Sequence, residues 1–232
     1  NDMQGSVQKE VKDKAKNFFT QALEMIKHPS TGFVEAVLDK DSKNGLILMG
    51  IEAVLTGLYL YVLLQKIVSA TMSGINSVFG TSRTAAQTPS LGGFFGYGII
   101  IAIIVSLVIA ALVMGLMKAM AEADINWFQS CQIAGMRSLG LSLGWILGIL
   151  GLFLGMYQFA ILIIVVGGVL GMIYMIVAMM SYPNTKKDMI AYVVLITILV
   201  ATFISYFVLK EFVLSSLINN GGSTTNFLNN IL

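Results

Sequence analysis

The stretch SLGLSLGWILGILGLFLGMYQFAILIIVVGGVLGMIYMIVAMMSYPNT, residues 138–185, contains no charged side chain. As a single helix it would be about 70 Å long at 1.5 Å per residue, more than twice the roughly 30 Å of bilayer hydrocarbon. It therefore reads as two membrane spans joined by a tight turn. Gly155-Met156-Tyr157-Gln158 is the place for that turn, because Tyr and Gln suit the membrane interface. The expected third and fourth spans of the chain are then Leu139–Gly155 and Phe159–Tyr182.

Outward from this core, three further apolar runs meet the requirement of about 20 residues per crossing. They are Leu46–Val68, Gly96–Met117 and Met189–Leu209, which makes five spans in all. Composition agrees: 56% of the 232 residues are hydrophobic and 11% charged, with a mean hydropathy of +0.83. A soluble domain carries roughly 25% charged residues, so a chain this poor in charge cannot cover a globular surface with polar groups. The predicted fold class is all-α: a polytopic membrane bundle of five transmembrane helices with an amphipathic N-terminal helix. Residues 1–44 form a cytoplasmic segment, 45–210 the membrane domain and 211–232 a flexible polar tail rich in Asn, Ser and Thr.

Basic residues set the orientation, since positive charge stays on the cytoplasmic side. With the N-terminus inside, Lys9, Lys12, Lys14, Lys16, Lys27, Lys40, Lys43, Lys118, Arg137, Lys186 and Lys187 fall in the cytoplasm, and only Lys66, Arg83 and Lys210 fall outside. The expected location is the cytoplasmic membrane of a bacterium, with the C-terminus outside. No N-x-Ser/Thr acceptor occurs, and no signal peptide is visible in the first 44 residues. The start at Asn1 rather than Met leaves room for a longer parent chain.

In residues 1–44, Val7, Val11, Ala15, Phe18, Ala22 and Ile26 recur at steps of three and four, which makes an apolar stripe on a helix. His28-Pro29-Ser30 breaks that helix, and Phe33, Val34, Val37 and Leu38 mark a second amphipathic piece. Seven lysines balance seven acids here, so the segment is no polybasic lipid anchor. It reads as a helix lying on the membrane or the bundle, with a partner-docking arm as the sharper alternative.

Small residues space the spans. Gly140, Gly144 and Gly148, then Gly151 and Gly155, form small-xxx-small steps in the third; Gly167 and Gly171 do so in the fourth, and Ala111, Gly115 and Ala119 at the end of the second. Lipid tails are as apolar as leucine, so helices in a bilayer associate by close packing that small residues permit. Packing within one chain is the first reading and homo-oligomerisation the second.

Chemistry-bearing groups are sparse. Glu52 is the only acid well inside a predicted span, with no basic residue in reach on its own helix. Intramembrane acids mark ion or substrate paths, and without a partner the carboxyl is expected to be neutral and hydrogen-bonded. The competing reading is that the span starts later and Glu52 reaches the interface. Gln158 is the other candidate intramembrane polar residue. Between the second and third spans, Asp124 reads as the N-cap of a short helix, with Trp127 and Phe128 as interfacial anchors. Cys131 and His28, the sole cysteine and histidine, have no catalytic or metal-binding companions. No phosphate loop, nucleophile elbow or zinc motif occurs. Hence no catalytic residue, metal or cofactor is expected, and a net charge of +2 gives no reason to expect nucleic acid.

The order of elements resembles the Yip family of Ypt/Rab GTPase-interacting membrane proteins, in its bacterial form. The resemblance covers roughly residues 29–210 and rests on the five-span layout and on Trp127-Phe128-Gln129 followed by Gly135-x-x-Ser138, leading into the glycine-rich span. It implies a helical membrane protein without catalysis. Residues 1–44 lack the Asp-Leu-x-Gly-Pro segment of the eukaryotic members, so Rab binding is not implied, and the zinc ribbon that precedes the membrane part in many bacterial members is absent. The expected function is a non-enzymatic scaffold or adaptor that binds membrane lipids and a protein partner. The alternative is a small-solute transporter or channel subunit with Glu52 in a polar path. A lipid-handling enzyme is disfavoured, since no group of catalytic residues stands at the membrane surface.

Overall fold

The structure of the protein, a computed structural model, describes residues 16–79 and 91–220. Of the expected stripe and charge pattern, Val7, Val11, Ala15, Lys9, Lys12, Lys14 and Arg83 lie outside these, as do residues 221–232 of the tail. Seven helices follow in order: α1 (residues 16–27), α2 (Pro29–Leu38), α3 (Asn44–Phe79), α4 (Leu91–Ala119), α5 (Trp127–Phe153), α6 (Tyr157–Met180) and α7 (Lys187–Asn220). Five contain stretches long and apolar enough to cross a membrane: Asn44–Ile67, Gly92–Ala119, Trp127–Phe153, Tyr157–Met180 and Lys187–Val208. The chain is a polytopic membrane protein.

The turn in the charge-free stretch falls at Leu154, Gly155 and Met156. Gly155 takes φ +74°, a left-handed conformation that costs a residue without Cβ little. It serves the turn and meets no neighbouring atom within 4 Å, so it is not part of the packing stripe. The third span differs more from expectation. It begins at Trp127 instead of Leu139, because the amphipathic run is continuous with the glycine-rich helix. Asn126, not Asp124, is its N-cap: Asn126 Oδ1 accepts from Gln129 N at 2.8 Å, and the Gln129 side chain returns the bond to Asn126 N, a capping box. The expected tail also starts later, since α7 continues as helix to Asn220.

Residues 16–44 are not a separate domain. Met25, Phe33, Ala36 and Val37 are buried in the same core as Met117, Ile133, Met136, Met175 and Met179. Phe18, Ala22 and Ile26, the described part of the apolar stripe, pack against it. Phe33 meets Tyr174 of α6 edge-to-face at 5.0 Å. On the flank of that stripe, Phe19 is 66% and Leu23 52% exposed.

Helix crossings are built glycine on glycine. A Cβ on Gly140 would stand 2.4 Å from Gly171 N, and one on Gly144 2.9 Å from Gly167 Cα, where α5 crosses α6. Gly148 and Gly151 face Ile164 and Ala160 further along that seam. A Cβ on Gly135 would stand 2.6 Å from Gly45 Cα (α5 on α3), and one on Gly98 2.8 Å from Gly57 Cα (α4 on α3). These approaches put backbones in contact, as packing in lipid requires. Gly115, by contrast, faces open space, so the Ala111-Gly115-Ala119 stripe makes no such crossing in this chain. Helix α7 has no glycine. It rests chiefly on α4 and only lightly on α6.

Candidate functional site

Helices α3 and α5 run side by side in the same direction, and their contacts repeat every seven residues. Gly45 meets Cys131, Glu52 meets Ser138, and Tyr59 meets Trp145 at 4.9 Å between ring centroids. Seven-residue spacing keeps one face of each helix on the seam, and it carries Glu52 into the bundle. Glu52 is 5% exposed. Its expected isolation is corrected by Arg137: Arg137 Nη2 lies 3.2 Å from both carboxylate oxygens. Arg137 is not a cytoplasmic loop residue. It is ten residues into α5, about 15 Å from the start of that helix.

Four side chains from three helices close on one another. Ser138 Oγ donates to Glu52 Oε2 at 2.5 Å, Ser106 Oγ of α4 donates to the same oxygen at 3.1 Å, and Arg137 Nη2 donates to Ser106 Oγ at 3.1 Å. The carboxylate is thus paired with a cation and two hydroxyls, which is what a charge away from water needs. The pair is a closed tie between α3, α4 and α5. Gln158 is not brought to it: Gln158 is exposed in the first turn of α6, thirteen residues before Gly171 and about 20 Å along the helix from it.

At the α2 end, a second polar group joins three segments. Tyr182, just past α6, donates its hydroxyl to Asp124 O at 2.5 Å and lies 3.1 Å from Gln129 Oε1. Gln129 Nε2 donates to Val37 O at 3.3 Å, and Asn126 Nδ2 to Lys40 O at 3.2 Å. Lys186 pairs with Glu122, and Lys186 N donates to Ala121 O at 3.0 Å. Burial, with the nearby Asp124 charge second, pushes the Tyr182 phenol above its ordinary 10.0, so it stays a donor at neutral pH. Trp127 is 37% exposed at the first position of α5 and Phe128 is half-buried beside it. His28 is exposed at the α1–α2 break, 3.7 Å from Glu24. Cys131 is buried. No grouping of three or more His, Cys, Asp or Glu suited to a metal occurs among the described residues.

Sequence reasoning missed Arg137 and Ser106. Arg137 looked like a loop charge because the span was started too late. The matching seven-residue steps of Gly45, Glu52 and Tyr59 and of Cys131, Ser138 and Trp145 gain meaning only once α3 lies on α5. Nothing singled out Ser106, one hydroxyl in an apolar span.

A family described as a domain of unknown function, DUF6574, matches residues 8–220. No curated protein and no solved structure matches the chain.

Proposed function

The chain belongs to the DUF6574 family, and from that premise we propose that it is a non-enzymatic membrane scaffold or adaptor. One observation carries the reading: the Glu52 carboxylate inside the bundle is taken up by donors from its own chain. A transport path needs polar groups that remain available to a solute along the membrane. Here the Glu52 carboxylate is taken up by Arg137, Ser106 and Ser138, and Gln158 stands apart. The same pair reads as structural reinforcement.

The stitched α2 end supports the proposal, because it holds α2 and two loops as one surface. Phe19 and Leu23 are the exposed large apolar residues of α1 and are the proposed contact with a protein partner. The five-span layout and the Trp127-to-Ser138 run support placement near the Yip family. The basic-residue asymmetry supports a cytoplasmic α2 end in a bacterial cytoplasmic membrane. Without Arg137, ten basic residues remain on that side against three.

The test is affinity purification from native membranes in mild detergent, with the wild type and a Phe19→Glu, Leu23→Glu double variant. A stoichiometric protein partner lost only in the variant is the expected result. A wild-type protein that carries only lipid, or a partner held equally by both, overturns the reading.

A further inference from the structure

Helix α7, the one span without glycine, stands off from α5 and α6 and leaves a cavity of about 290 Å³ between α4, α5, α6 and α7. Its walls are Val105, Ile109, Leu141, Met172, Met175 and their neighbours on α7. Two of the three α7 hydroxyls add little polarity, because Thr197 and Ser205 donate within their own helix to Val193 O and Ala201 O at 2.7 Å. Gly168 borders the cavity but does not share the tight seam of Gly167 and Gly171. A Cβ there would meet only Leu141 Cδ2, at 3.9 Å.

One wall is charged. Arg137 lines the cavity, and its aliphatic stem lies against Gly171. Every hydrogen bond it makes runs through Nη2, while Nε is buried without a partner. A guanidinium offers five donors, and the hydrogen bonds here use only those on Nη2. Counting about 20 residues back from Phe153 puts the hydrocarbon edge near Ala134, so Arg137 lies about 5 Å inside it. That is within reach of a lipid phosphate, and basic pockets between spans take lipid headgroups. From the level of Thr197, midway along the α7 span Lys187–Val208, the cavity follows α7 for about 12 Å to Ser205.

We propose that this cavity holds one acyl chain of an anionic membrane phospholipid, whose phosphate pairs with the remaining donors of the Arg137 guanidinium. Glu52 keeps its two serine donors while the guanidinium is shared, so the site accepts the anion without stripping the carboxylate of partners.

The experiment uses the full chain in phosphatidylcholine bilayers doped with phosphatidylglycerol carrying a photoreactive tail, with the labelled peptides mapped by mass spectrometry. Labelling is expected at Gly168, Met172 and the Thr197–Ser205 face, and excess unlabelled phosphatidylglycerol should reduce it about tenfold or more. Gly168→Leu, which fills the space, should lose the label to a similar degree, whereas Gly115→Leu, on an open face, should keep it. Equal competition by phosphatidylcholine or by inorganic phosphate overturns the proposal. So does label spread evenly over the lipid-facing helices. These competition arms need only the wild type, so they decide the matter even if Gly168→Leu fails to fold.

Discussion

The seam between α5 and α6 and the seam between α7 and its neighbours are both made of helices apolar enough to cross a membrane, yet they pack differently. In the first, Gly140 and Gly144 lie backbone to backbone with Gly171 and Gly167. In the second, the α7 face consists of Thr197, Ile198, Ala201, Thr202 and Ser205, and a cavity remains. Hydrophobicity does not distinguish the two, since lipid competes for apolar surface on equal terms. Glycine at the crossing does: Thr197, Ala201 and Ser205 on α7 are small, but each carries a Cβ that keeps the backbones apart. The α5 helix also carries the polar tie to α3 and α4, whereas α7 is held by contacts with α4 alone in any strength.

The strongest way to break this contrast is to attack the rigid side at its charge. Glu52→Gln leaves Arg137 buried without a counter-charge, and breaking such a pair costs about 3–5 kcal/mol. This reverses the expectation of a tolerated substitution that an unpartnered carboxyl would give. Adding Arg137→Gln to it should recover most of the loss, because removing both partners is far milder than removing one. Unfolding in detergent across the double-mutant cycle measures both, and an undamaged Glu52→Gln variant would mean the pair does not form.

Gly140→Val tests the seam itself. Its Cβ would come within 2.4 Å of Gly171 N, so the helices must separate. Overpacking of this kind costs about 1–3 kcal/mol, read as a lowered melting midpoint. Gly115→Val on the open face of α4 should stay within about 0.5 kcal/mol of wild type. Equal effects at the two glycines would erase the distinction between used and unused stripes.

Tyr182→Phe sharpens the contrast at the α2 end, where it removes the donor to Asp124 O. The expected cost is about 1 kcal/mol. Because the folded phenol titrates above its ordinary 10.0, its contribution is complete below that pH and is lost as pH rises through the higher folded value. The gap between wild type and variant in thermal melts should therefore be constant below pH 10.0 and narrow above it.

Gly168→Leu should have the smallest effect on stability. Filling a cavity recovers contacts where the added atoms have room, and only Leu141 Cδ2 approaches, at 3.9 Å. A melting midpoint unchanged or slightly raised is expected. A fall as large as that of Gly140→Val would mean that the α7 seam is as tight as the α5–α6 seam.

What the sequence determined by itself was the architecture. Forty-odd uncharged residues exceed the bilayer thickness, so length forced a turn, and Tyr157 and Gln158 marked its place beside Gly155. The amphipathic stripe of Phe18, Ala22 and Ile26 and the small-residue steps at Gly140, Gly144, Gly167 and Gly171 follow from helical periodicity, which is local. Which glycine meets which could not be read, because Gly45 and Gly135 or Gly57 and Gly98 are far apart in the chain and match only in space. The same holds for Glu52 and Arg137, separated by 85 positions. Taken singly, each looks like an unpaired charge near a membrane edge. Only the register of α3 on α5 makes them partners, and only the stand-off of α7 opens the cavity beside them.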